Sequence, residues 1–136
     1  MATSFRLRIV TPVRQLLDED VEEVTAPGAA GEFGVLPDHI AFLTVLAPGR
    51  LIYKSGGRRR VLAIFGGYAE VADNVMTVLA DGAEPVEEID AQRAERELRD
   101  AEAKLAGIEQ AAPDAALLRR IVEESTARLA ATSVRA

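Results

Sequence analysis

The character of the chain changes at Pro85, and that change limits the fold more than any other feature. Before it, short alternating runs are separated by glycine, proline and an Asp-Asn pair; after it, glycine is rare, and alanine and charged residues dominate. The first texture is that of short strands in a sandwich or barrel, the second that of amphipathic helices. The 136 residues are therefore expected to divide into a β unit, 1–86, and a helical unit, 87–136. The fold class is α+β.

In the β unit, Phe5, Leu7 and Ile9 alternate with Arg6 and Arg8, which sends the apolar three to one face of a strand. Runs at 13–17 and 21–26 predict two more strands, with Asp18-Glu19-Asp20 as an acidic turn between them. Gly31-Glu32-Phe33-Gly34-Val35-Leu36-Pro37-Asp38-His39 then reads as a tight turn, with positive φ at Gly31 and Gly34 and a stiff exit at Pro37. Ile40 to Ala47 predicts a buried strand, stopped by Pro48-Gly49. Arg50 to Lys54, Ser55-Gly56-Gly57 and Arg58 to Phe65 form a hairpin signature. Gly66-Gly67 and Asp73-Asn74 punctuate the last strands, 68–71 and 75–80.

In the helical unit, Ala91, Ala94, Leu98, Ala101, Leu105 and Ile108 follow steps of three and four. Asp90 is the expected N-cap, with Glu87 and Glu88 set against the positive end of the helix dipole. Ion pairs four residues apart are expected for Glu95 with Arg99, Arg96 with Asp100, and Asp100 with Lys104. Pro113 opens a second helix, whose stripe is Leu118, Ile121, Val122, Ser125 and Leu129. A short connection makes the two an antiparallel hairpin. Its stripes hold few large side chains, which predicts marginal stability and detachment from the sandwich. Residues 132–136 are expected to fray.

Composition removes several function classes. With no cysteine there is no disulfide framework or thiolate metal site, and the formal charge of −6 falls equally on the two units. Neither unit suits a nucleic-acid backbone. The longest uncharged apolar run near the middle is far shorter than the ~20 residues of a membrane-spanning helix, so no direct membrane insertion is expected. The N-terminal residues carry no signal-peptide pattern. His39 is the only histidine and reads as a turn residue bonded to backbone, since a base or ligand needs convergent partners. There is no phosphate loop, and an enzyme is not expected. Arg58-Arg59-Arg60 reads as a solvated hairpin tip.

Gly31-Glu32-x-Gly34-x-Leu36-Pro37-x-His39 resembles the glycine-rich loop of the epsilon subunit of the rotary proton-driven ATP synthase. So do Gly66-Gly67-x-x-Glu70-Val71 and Asn74-x-x-Thr77-Val78-Leu79-Ala80-Asp81-x-Ala83, in the same order. One departure is Ile40-Ala41, where the family often has Ala-Pro. The resemblance implies a flattened N-terminal sandwich of about ten strands and a C-terminal helical hairpin. It implies a non-catalytic central-stalk subunit that couples proton translocation to ATP synthesis and inhibits hydrolysis through the hairpin. The implied partners are the gamma subunit, the membrane c-ring and, when the hairpin extends, the catalytic alpha and beta subunits, at the cytoplasmic face of a bacterial plasma membrane.

The resemblance assigns ring contacts to Glu32, Phe33, Val35 and His39. Ile89-Asp90-x-x-Arg93-Ala94 is similar to the motif with which some bacterial members hold ATP, with Glu84 and Arg128 at the positions of other binders. No cofactor is required on this reading, and ATP is a regulatory ligand. Glu124 departs from the family pattern, which has an arginine there. Read without the resemblance, the same pattern also fits a free-standing β-sandwich ligand-binding module with a helical dimerisation hairpin.

Overall fold

The computed structural model describes residues 2–134. Eight strands come first: β1 (Phe5–Val10), β2 (Gln15–Val21), β3 (Glu23–Gly28), β4 (Gly31–Val35), β5 (Phe42–Ser55), β6 (Arg58–Ala72), β7 (Val75–Ala80) and β8 (Ala83–Pro85). A 3-10 turn at Val86–Glu88 leads to α1 (Ala91–Ala106) and α2 (Pro113–Thr132). Of the residues expected to fray, Thr132 closes α2, and Arg135 and Ala136 lie outside the described residues. The class is α+β, a sandwich followed by two helices, and the sheet does not close into a barrel.

The strands pair in the order β2-β1-β7-β6-β5-β3-β4, with β8 on β6. All pairs are antiparallel except β1 with β7. The expected alternation on β1 is present: Phe5, Leu7 and Ile9 are buried. They join Val24, Val35, Leu51, Ile64, Met76 and Val78 in one core.

Eight strands stand where about ten were expected, because β5 and β6 each run unbroken through a segment that reads as a turn. Pro48-Gly49 lies within β5, with Pro48 opposite Phe65 and Gly49 opposite Ile64. Glycine is needed there for closeness, since a Cβ on Gly49 would stand 2.7 Å from the Cβ of Pro27. Gly66-Gly67 lies within β6, at φ 97° and 129°. Before this pair the inward residues of β6 are even-numbered, Leu62 and Ile64; after it they are odd-numbered, Ala69 and Val71. Side chains alternate strictly along a strand, so this change of parity needs an irregular step. A Cβ on Gly67 would fall 2.1 Å from the Leu79 carbonyl oxygen, and no other residue fits. The first half of β6 pairs with β8 and the second with β7, so the β5–β6 ribbon serves both layers.

Other expectations are corrected. Asp18-Glu19-Asp20 is strand, within β2, because its carboxylates meet the arginines of β1: Arg6 Nε lies 2.6 Å and Arg8 Nε 3.5 Å from Asp18 Oδ1. The hydrogen bond from Arg6 holds the Asp18 carboxyl below its ordinary pKa. Gly31–Val35 is an edge strand on β3, and Gly34 sits opposite Thr25; only Gly31 of its two glycines has positive φ. The true turn is at Leu36–His39, with Asp38 at φ 63°. Asn74 secures it, accepting from Asp38 N through Oδ1 at 2.9 Å and donating to the Ser4 carbonyl at 2.9 Å. Of the segment read as a buried strand, 40–47, the strand begins only at Phe42, and it is apolar on both faces but buried on one: Leu46 is in the core, while Leu43 is 68% and Val45 50% exposed.

The helices form the expected hairpin. Asp90 Oδ1 accepts from Arg93 N at 3.1 Å, and Pro113 begins α2. Ala127 and Ala131 pack on Val61 and Ala63, with Ile52, Phe65 and Val134 around them. α2 therefore lies between the strands and α1, whose buried residues are only Ala94 and Ala101. Ser125, two residues and about 200° from Ala127 around the helix, faces away from the strands. It is fully buried, and its hydroxyl lacks a hydrogen-bond partner. The ion pairs expected along α1 do not form among the described residues; α1 has Arg93 with Glu97 at 2.8 Å instead, and α2 has Arg120 with Glu124 at 3.0 Å.

Candidate functional site

Two places gather the residues singled out in the sequence, and a third surface went unread. The first is a cleft of about 300 Å³ between the sandwich and the hairpin, at the small end of ligand sites. Glu84, Ile89, Asp90, Arg93, Ala94 and Arg128 all line it, joined by Glu88 and Glu97. Each arrives from a different constraint. Glu84 is fixed by pairing of β8 with Ala63 of β6, and Asp90 by its cap. Arg93 and Glu97 lie one turn apart on α1, and Arg128 reaches across from α2.

The electrostatics are self-contained. Arg128 Nε donates to Glu84 Oε1 at 2.6 Å and to Oε2 at 3.4 Å, and Nη1 lies 3.8 Å from Glu97 Oε2. Its guanidinium also stands 4.9 Å from the centre of the Phe65 ring, a cation–π contact. Burial opposes the charge on Arg128, but its hydrogen bond to Glu84 and the neighbouring carboxylates outweigh it and raise its pKa. Arg93 is held by Glu97. The cleft thus carries four carboxylates and two guanidinium groups, each of the latter already partnered. Such a site can take an anion only by displacing a carboxylate, or take it together with a cation. Ile89 turns into the apolar cluster beneath, and Ala94 is a helix contact with 1% exposure. Glu124 does not line this cleft; it pairs with Arg120 beside a neighbouring hollow with Pro48 and Asp81.

The second place is the lip formed by β4 and the turn after it. Glu32, Phe33 and His39 share a shallow groove with Ile40, Phe42 and Leu43. Phe33 meets Phe42 edge-on at 5.4 Å, and the His39 ring lies 5.0 Å from Phe42. His39 Nδ1 donates to the Ile40 carbonyl at 2.8 Å, in keeping with a backbone-bonded turn histidine. Val35 does not join them: it is 1% exposed and belongs to the core, so a contact role for it is withdrawn. As the last residue of an edge strand it points inward by alternation.

The third surface is the outward face of β5, β6 and β7. Val45 pairs with Tyr68, and Tyr68 with Leu79; the three are 50%, 54% and 54% exposed. Leu43 extends the patch. Sequence reading missed it because an apolar run on both faces looks like a buried strand, and because Gly66-Gly67 hides which residues of β6 turn outward. The doubly apolar run itself, Leu43 and Val45 alternating with Phe42 and Leu46, was the available signal.

Comparison with known proteins follows the same lines. Residues 4–86 match the family described as the ATP synthase delta/epsilon chain β-sandwich domain. The chain is 50% identical over 110 residues to the ATP synthase epsilon chain of Nitratidesulfovibrio vulgaris strain DP4, covering 81% of this chain and 82% of the relative. It is 42% identical over 129 residues to that of Geobacter sulfurreducens, covering 95% and 94%, so this likeness includes the hairpin. Among solved structures, it superposes with a TM-score of 0.82 and 29% identity on a chain of the Euglena gracilis mitochondrial ATP synthase OSCP/F1/c-ring assembly, covering 92% of this chain and 79% of that one.

Proposed function

The chain belongs to the epsilon family of ATP synthase subunits, and from this premise we propose that it is a non-catalytic rotor part, whose sandwich joins the gamma subunit to the membrane c-ring. Proton-driven rotation of the ring would then reach the catalytic head without slip. The observation that carries this reading is the exposed apolar face of Val45, Tyr68 and Leu79: three apolar side chains in register across three strands form a surface that gains by burial against a partner. The gamma subunit is assigned to that face, and the ring to the lip of Glu32, Phe33 and His39. The chain is then peripheral on the cytoplasmic side of a bacterial plasma membrane, and no helix of the described residues is long and apolar enough to cross one.

The hairpin is assigned a regulatory role with two positions, closed on the sandwich or extended toward the alpha and beta subunits to oppose ATP hydrolysis. Alanine-sized contacts on Val61 and Ala63 favour such an element, since the two packings must differ by only a few kcal/mol. A Mg-nucleotide is assigned to the cleft as a modulator. What supports it is the convergence of Glu84, Asp90, Arg93 and Arg128 on one cavity; calorimetric titration with Mg-ATP, with Arg93→Ala as control, tests it.

Co-elution of the purified chain with a gamma–c-ring subcomplex tests the rotor role. Binding that is lost in Tyr68→Asp supports the assignment. Self-association of the chain through the same face, with no affinity for rotor proteins, would instead favour a free-standing module with a dimerising hairpin.

A further inference from the structure

The cleft between sandwich and hairpin holds more than a place for a ligand. Among the described residues, only two polar ties run from the hairpin to the strands: Arg128 to Glu84 at 2.6 Å, and a looser contact from Arg50 Nη1 to Ser133 Oγ at 3.4 Å. Arg128 alone touches three elements at once. It meets Glu84 of β8 and the ring of Phe65 in β6, and it lies 3.8 Å from Glu97 of α1. Both members of the Arg128–Glu84 pair keep about a quarter of their side-chain surface, 24% and 29%, so the pair is sheltered yet within reach of solvent ions.

We propose that Arg128 is a clasp that closes the hairpin on the sandwich without nucleotide, with Glu84 as its resident counter-ion. The inference rests on the two-position reading of the hairpin and adds what sets the balance. At the joint α2 itself buries only the small side chains of Ala127 and Ala131 against Val61 and Ala63, with Ile52, Phe65 and Val134 partly buried around them. A charge-assisted hydrogen bond, given by one Nε–H chiefly to Oε1 of Glu84, therefore supplies a large share of the closing preference. Because both cleft arginines already have carboxylate partners, closure does not wait for phosphate groups. When the hairpin leaves, Arg128 exchanges Glu84 and Phe65 for water, so closure weakens as salt screens the pair.

The chain has no cysteine, so two spin labels can be placed cleanly, through Arg59→Cys at the exposed tip of the β5–β6 hairpin and Glu102→Cys on the exposed side of α1. Electron–electron distance measurement on the full chain without nucleotide should give one short, closed distance. Glu84→Gln, or molar salt, should lower the closed-to-open ratio about tenfold, the scale of one charge-assisted hydrogen bond. The exchanged pair, Glu84→Arg with Arg128→Glu, should recover part of it, the rest being withheld by Glu97 and the Phe65 ring that face position 128, and a merely misfolded variant would recover none. Millimolar Mg-ATP, bound in the cleft, should add little to a wild-type population that the clasp already keeps closed. An open wild-type hairpin that closes only on adding Mg-ATP would overturn the clasp while leaving two positions standing, and so would a ratio unchanged in Glu84→Gln while molar salt opens the hairpin. A single closed distance in every variant and at every salt concentration would instead remove the two-position reading, and the clasp with it.

Discussion

The β5–β6 ribbon presents apolar side chains outward along both of its halves, and the two halves are treated differently. At the end near the β5–β6 turn, Ile52, Val61, Ala63 and Phe65 lie under α2. Beyond Gly66-Gly67, Val45 and Tyr68 face solvent, with Leu79 of β7 beside them. The covered half meets alanines, whose contacts are small, and one arginine, whose ion pair is screened by salt. The exposed half offers an aromatic ring flanked by two aliphatic residues in cross-strand register, the type of surface on which a few residues carry most of an interface. On the proposed function the lasting partner takes the second and the releasable hairpin the first.

The most severe way to break this comparison is Gly67→Ala. The added Cβ meets the Leu79 carbonyl oxygen at 2.1 Å at a φ of 129°, which combines backbone strain with a clash against backbone. A loss of about 4 kcal/mol or more is expected, seen as a collapse of the thermal transition of the whole sandwich. Tyr68→Asp tests the exposed half alone. It should weaken gamma-subunit binding about 100-fold, or ~2.7 kcal/mol, with a melting temperature close to wild type.

The covered half is broken by overpacking. Ala127→Leu puts a large side chain where 1% of the residue is exposed, so the closed hairpin should lose ~1–3 kcal/mol; helix content and rotor binding should stay intact while the label distance lengthens. Ser125→Ala should act in the opposite direction. Removing a buried hydroxyl without a partner should stabilise the α1–α2 contact by about 1 kcal/mol, read as slower amide exchange in both helices. The smallest effect is expected from acid. The Asp18 pKa is lowered by Arg6 from an ordinary 3.8, so the unfolded chain binds this proton more readily. Its contribution is complete well above pH 3.8 and fades as pH falls through the lower folded value. Asp18→Asn should remove that part of the acid dependence and leave neutral-pH behaviour of the hairpin unchanged.

Much of this arrangement was legible from periodicity. The alternation of Phe5, Leu7 and Ile9, the Asp90 cap and the Pro113 start all express local rules that tertiary contacts did not override. Pro48-Gly49 and Gly66-Gly67 misled because glycine and proline mark more than turns. Gly49 serves a close approach to Pro27 and Gly67 a reversal of strand face, both set by residues distant in sequence. For the same reason the run from Ile40 to Ala47 could not declare which of its two apolar faces was covered. The six cleft residues, from Glu84 to Arg128, had no common spacing to join them. Resemblance grouped them, and only the packing of α2 on β6 and β8 brings the ends of that list together. Val35 went the other way, into the core, through the strand parity of a segment that reads as a loop.

Hydroxyl-radical footprinting of the chain, free and within the assembled synthase, tests the division of the ribbon most directly, because it reads side-chain exposure residue by residue. Tyr68 and Leu79 should be strongly protected on assembly at any salt or nucleotide level, while protection of Phe65 should follow the position of the hairpin. Tyr68 oxidised equally in the free and assembled chain would contradict the assignment of the lasting partner to that face.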